Sequence, residues 1–271
     1  MSAWIANARM YGVTPAVEAS WRELLRRVAQ DAQVELQYLP YPAPQPLEHL
    51  WSRADLGAVF MCGFPVALQM ASVVPIAAPI PATGWAGGRA VYRSDLIVRA
   101  DSPFRRLEDS FGARAGFTVA HSHSGFNAFR HHLLPFRTPQ RPRLFAHMSG
   151  DLITARRILD GVREGVLDIG PLDAYWHALL ARHAPELTRG IRVLESTALA
   201  PIPCFVSAAG AAPGQVQRLR EAFIAASARP WFESLGDALL LSGFAAADAR
   251  DYDVLLDWDR QARAAGYDQP A

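Results

Sequence analysis

Apolar residues alternate loosely from Trp4 to Tyr11, which predicts a first strand. After Gly12 the spacing changes to a helical period that runs to Val28. Thr14 followed by Pro15 supplies an N-cap and a first-turn proline for that helix. The same reasoning predicts strands over Val34–Tyr38 and Ala54–Phe60, with a short helix over Leu47–Ser52 between them. The Ala54–Phe60 run is continuously apolar, as expected of a parallel strand covered on both faces. Strand, helix and strand therefore alternate from the start, which is α/β patterning.

A second series follows. Ala90–Arg99 predicts one long strand, closed by the turn Ala100–Pro103. Arg114–Ala120, Leu144–His147, Val166–Gly170, Ile191–Glu195 and Cys204–Ala208 read as further strands, and Leu152–Glu164 as a helix. From Pro213 to Gly266 the pattern is mostly helical.

Composition narrows the function classes. The chain has 271 residues, 51% hydrophobic and 20% charged, with a formal net charge of +1. That is long enough for two modest lobes, and too near neutral for a surface built to displace counterions from nucleic acid or acidic lipid. All the basic residues are Arg, so chemistry that needs a lysine Schiff base or a P-loop lysine is excluded. Cys62 and Cys204 lie far apart and form no redox or zinc spacing, which predicts two buried thiols. No stretch is long and apolar enough to span a bilayer, and the start lacks a basic segment followed by an apolar run of about 7 to 15 residues. The expected localisation is periplasmic if a leader has been removed and cytoplasmic if the chain is as encoded.

The segment that carries chemistry is residues 91–134. A strand runs into His121-Ser122-His123-Ser124-Gly125 and then into a helical pattern. Such a turn gathers unpaired backbone N–H groups, serine hydroxyls and the positive end of a helix dipole at one point, a ready site for an anion. The alternative is that Ser122 or Ser124 serves only as an N-cap. His121 and His123 lack a third metal ligand at suitable spacing, and a hydrogen-bonding pair is the plainer role. His147 ends a predicted strand, where such folds expose ligand-contacting side chains, and a loop role is the alternative. Asp173 follows a buried strand and would cap the helix AYWHALLARH or accept a hydrogen bond from a ligand. Tyr11, Phe64, Tyr92, Tyr175 and Trp176 are candidates for apolar pocket walls, with core packing the default for each. No nucleophile-elbow, metalloprotease, dinucleotide or P-loop motif is present.

Three stretches, in order, resemble phosphate/phosphonate-type substrate-binding proteins of ABC transporters. The first runs from Tyr92-Arg93-Ser94 through Asp101-Ser102-Pro103, Leu107 and Asp109 to Ser122, Ser124 and Gly125. The second is Ser149-Gly150 to Asp168-Ile169 and Asp173, and the third is Ala54–Leu68. Two histidines stand where the family's turn often has small hydroxylated residues. The resemblance implies an α/β, two-lobed type II periplasmic-binding-protein fold with a hinge and an interlobe ligand cleft. Lobe 1 would comprise residues 1–96 and 200–271, and lobe 2 residues 97–199. It implies reversible binding of a small anionic, phosphonate- or phosphate-like ligand through Tyr11, Met61, Phe64, Tyr92, Ser122, His123, Ser124, Gly125, His147 and Asp173. No cofactor, metal or catalytic residue is expected. The expected partners are that ligand and an ABC permease, with no nucleic acid and no membrane insertion, for a monomeric chain. The same scaffold also carries cytoplasmic enzymes, of the chorismate-dehydratase and thiamine-pyrimidine-synthase kinds, and ligand-sensing domains, which are the alternatives.

Overall fold

The computed structural model describes residues 4–271. The first three residues of the expected first lobe lie outside the described residues. The chain forms two compact units: the described residues up to Tyr92 with Pro201–Asp253, and Arg93–Ala200 with Val254–Ala271.

In the first unit, β1 (Trp4–Asn7) leads through a 3-10 turn at Arg9–Tyr11 to α1 (Pro15–Ala32). Thr14 Oγ1 accepts from Val17 N–H at 3.2 Å, so the predicted cap forms. Then come β2 (Leu36–Tyr38), α2 (Leu47–Trp51), β3 (Leu56–Met61), α3 (Gly63–Ala67) and β4 (Val73–Pro81). β4 has no counterpart in the sequence reading because Pro75, Pro79 and Pro81 interrupt it, and proline cannot donate to a ladder. The sheet accommodates them through irregular register: shifts fall where Pro75 meets Val206 and where Pro81 meets Leu241.

The predicted strand Ala90–Arg99 breaks at Arg93 into β5 (Val91–Tyr92) and β6 (Ser94–Arg99), where the chain passes from one unit to the other. In the second unit, β7 (Arg114–Gly116) pairs in parallel with β8 (His147–Ser149). A π-helical turn over His123–Asn127 runs directly into α4 (Ala128–Leu133). After α5 (Ala155–Arg163) come β9 (Gly170–Asp173), α6 (Ala174–His183), α7 (Pro185–Thr188) and β10 (Ile191–Ser196). β10, β6 and β9 form an antiparallel sheet in that order. Leu96, Val98, Phe129, Leu133, Phe145 and Ile169 are buried together as its core.

β11 (Ala200–Pro201) returns the chain to the first unit, followed by β12 (Cys204–Ala208), α8 (Pro213–Ala225), α9 (Phe232–Leu239) and β13 (Leu241–Ala246). The six-stranded sheet has the order β13-β4-β12-β3-β1-β2. β2, β1 and β3 are parallel, and β12, inserted between β3 and β4, is antiparallel to both. Its core is an aromatic stack: Phe60 lies 3.8 Å from Phe205 between ring centroids, with Trp21 edge-on to Phe60 at 5.1 Å. β13 falls in a region read as helical, and its Leu-Ser-Gly-Phe alternation is too short to outweigh the surrounding helical pattern.

The last segment departs from the expected lobe assignment. From Val254 onward, α10 (Asp253–Ala264) and the residues after it belong to the second unit, not the first. The cause is a buried polar lock: Arg130, fully buried, pairs with Asp259, and Asn127 Nδ2 donates to the Leu255 carbonyl at 2.9 Å. Among the described residues no helix is long and apolar enough to cross a membrane.

Candidate functional site

The turn 117–127 is built on the end of β7. Phe117 N–H donates to Ser149 O at 2.9 Å, Thr118 N–H to Gly125 O at 3.3 Å, and Ser122 N–H to Val119 O at 3.0 Å. The strand thus folds back on the helix that follows it. Ser122 is the N-cap: its Oγ accepts from Gly125 N–H at 3.0 Å, so the capping role weighed from the sequence is real. The hydroxyl proton of a serine whose oxygen accepts in this way remains available to a further acceptor. The cap satisfies Gly125 N–H; the first N–H groups of a helix in general lack an intrahelical acceptor, and the dipole adds positive potential at the same end.

Gly125 fits this turn for reasons of space. A Cβ there would lie 2.0 Å from Thr118 Oγ1 and 3.0 Å from Ser122 Oγ, so two hydroxyls bound the volume that a side chain would fill. Thr118 is buried, and its hydroxyl has no hydrogen-bond partner among the described residues. A buried hydroxyl left unpaired costs about 1–3 kcal/mol, so this one has a partner to gain. Thr118 was not singled out from the sequence. Its signal was a hydroxyl inside the otherwise apolar run Phe117–Ala120.

Asp173 reaches the same neighbourhood through the sheet. It is paired with Ser94 across β9 and β6, and β9 packs against the His123–Asn127 turn. Its Oδ1 accepts from Tyr175 N–H at 2.9 Å and Trp176 N–H at 3.0 Å, capping α6 as one of its two readings held. His123 behaves differently from its neighbours. Its ring is buried, packs 5.2 Å from Trp258, and has Nδ1 3.4 Å from Asn127 Nδ2. Burial, reinforced by the charge of His131, pushes its pKa down to about 3, so at neutral pH it contributes no positive charge to the turn.

His147 does not end a strand. β8 begins at His147 and ends at Ser149, and His147 stands exposed opposite Arg114, at the end of the pair away from the Phe117–Ser122 turn. The predicted strand Leu144–His147 is displaced because Leu144 and Phe145 are drawn into the second unit's core. Tyr11, Met61, Phe64 and Tyr92 belong to the first unit and are all buried, Tyr11 edge-on to Phe60 at 5.1 Å. Among the described residues no group of three or more His, Cys, Asp or Glu side chains is placed to hold a metal ion. Cys62 and Cys204 are buried, and burial pushes the Cys204 thiol up to about 12, which leaves it un-ionised.

The α/β units define a protein of the type II periplasmic-binding class. The chain belongs to the family of periplasmic substrate-binding proteins of ABC phosphonate transporters, whose family model matches residues 13–252. No curated protein matches the sequence. Among solved structures, a binding protein component of an ABC phosphonate transporter from Pseudomonas aeruginosa is similar with a TM-score of 0.80. It is 17% identical, over 98% of this chain and 88% of that one. PhnD1 from Prochlorococcus marinus, in complex with methylphosphonate, is 14% identical over 96% of this chain and 98% of its own, with a TM-score of 0.74. A protein from Xanthomonas citri bound to ATP is 18% identical over 98% of both chains, with a TM-score of 0.66. The family expected from the three sequence stretches is therefore the family to which the chain belongs.

Proposed function

We propose that this protein binds one small anion of the phosphonate or phosphate type, reversibly and without chemical change, at the amino end of the helix that starts at His123. As a monomer in the periplasm it would then pass that ligand to an ABC permease. The observation that carries the site is the cradle formed by Thr118, Ser122 and Gly125. A buried hydroxyl with no partner among the described residues and a capping hydroxyl meet over a glycine, where a helix begins. Hydroxyl and backbone donors that converge at a helix start suit the oxygens of a tetrahedral anion. Asp173 supports the same reading, since a carboxylate beside the turn would accept a hydrogen bond from a protonated ligand oxygen or amine.

The experiment is calorimetric titration with methylphosphonate and with inorganic phosphate, followed by chromatography of the recovered ligand. Replacing Ser122 and Ser124 together by Ala is expected to weaken binding by about 1.5–3 kcal/mol for each charge-assisted hydrogen bond lost. Loss of the cap should lower stability by only about 1 kcal/mol. Unchanged affinity in the double variant overturns the site, and recovery of altered ligand at more than one equivalent overturns the binding function.

A further inference from the structure

One peptide unit in the turn is held at both ends by serine hydroxyls. Ser94 Oγ donates to the carbonyl of Ser124 at 2.8 Å, and the N–H of the same peptide, on Gly125, donates to Ser122 Oγ at 3.0 Å. Ser94 is not a loop residue free to adjust. It is fully buried at the start of β6, its N–H donates to Thr197 Oγ1 at 3.0 Å, and its carbonyl accepts from Thr197 N–H at 2.9 Å. On the other side it is in register with Asp173 of β9. The three-stranded sheet therefore fixes where this hydroxyl points.

The three groups form a series in which each polarises the next. A proton donated to the Ser124 carbonyl draws electron density from the peptide and makes the Gly125 N–H a stronger donor. That N–H in turn draws on Ser122 Oγ and leaves its hydroxyl proton the more acidic. Hydrogen bonds in such chains strengthen one another, more so away from water. The chain ends at Ser122, the hydroxyl that faces the proposed anion. We propose that Ser94 is a positioning residue for anion binding: it orients the Ser124–Gly125 peptide and, through it, tunes Ser122 as a donor, without touching the ligand. The proposal rests on the anion site described above.

The test compares Ser94→Ala with Ser122→Ala/Ser124→Ala in the whole protein, titrating methylphosphonate and inorganic phosphate and recording the amide ¹⁵N resonance of Gly125. Ser94→Ala only removes an oxygen from a buried strand position. It is expected to move the Gly125 resonance in the ligand-free protein and to weaken anion binding about three- to tenfold, the scale of one neutral hydrogen bond. A residue that served only to fill the core would leave both readouts where they were. If the double variant loses binding while Ser94→Ala keeps both the wild-type affinity and the Gly125 resonance, the positioning role is overturned and the site stands. If affinity is unchanged in all variants, the site itself is overturned, and the positioning role with it.

Discussion

The hydroxyl oxygen of Thr118 occupies the place where a side chain on Gly125 would begin, 2.0 Å from an ideal Cβ. Gly125 is absent from the residues with positive φ, so its backbone conformation is open to any residue and only the space is not. Gly125→Ala must push the Thr118 side chain aside or open the turn. Overpacking of this kind costs about 1–3 kcal/mol, read as a lowered melting temperature, and methylphosphonate binding should fall with it. Adding Thr118→Ala to that variant vacates the contested space, and recovery of the melting temperature is the expected result.

Asp173 holds the start of α6 through Oδ1, a task that an amide oxygen performs as well. Asp173→Asn should therefore leave the melting temperature near that of the wild type, whereas Asp173→Ala should lose about 1 kcal/mol of stability. The charge bears on the ligand as well as on the start of α6 and on the buried Tyr175. Asn at this position is expected to weaken binding of an aminoalkylphosphonate more than that of methylphosphonate, and unchanged affinity for both would remove Asp173 from the site.

Buried His123 makes stability depend on pH. Its folded pKa is lowered, to about 3, while in the unfolded chain it titrates near 6.5. Between those values the unfolded chain binds the proton and the folded one does not. This contribution is thus complete above about pH 6.5 and is lost as pH falls toward 3, by about 1.4 kcal/mol for each pH unit inside the window. His123→Gln should flatten the slope of the melting temperature between pH 4.5 and 6.5. The comparison is of slopes, because the substitution also has a pH-independent cost.

The Arg130–Asp259 pair fastens the C-terminal helix to the second unit, with Arg263 adding a bond to Asp259 at 2.8 Å. Asp259→Ala leaves a fully buried guanidinium without its carboxylate, which costs about 3–5 kcal/mol. Urea unfolding should begin at markedly lower denaturant in that variant. The exposed Arg99–Asp101 pair is the control, and Asp101→Ala should leave the curve in place.

The sequence alone determined the features governed by local chemistry. Thr14 and Pro15 specify where α1 starts, because capping and proline geometry act within a few residues. The continuous apolar run before Phe60 specifies a strand covered on both faces, though its neighbours prove to be one parallel and one antiparallel, and the strand, Ser-x-Ser-Gly and helix order specifies a capped helix start. Tertiary structure decided what depends on distant partners. β4 carries three prolines and becomes a strand only because β12 and β13 supply irregular register at its flanks. His147 starts its strand because Leu144 and Phe145 are claimed by the core, and α10 joins the second unit because Arg130 needs a buried carboxylate. The reason Gly125 is glycine is likewise legible only in space: the atom that excludes a side chain belongs to Thr118, just past the end of β7, where the turn folds back on itself.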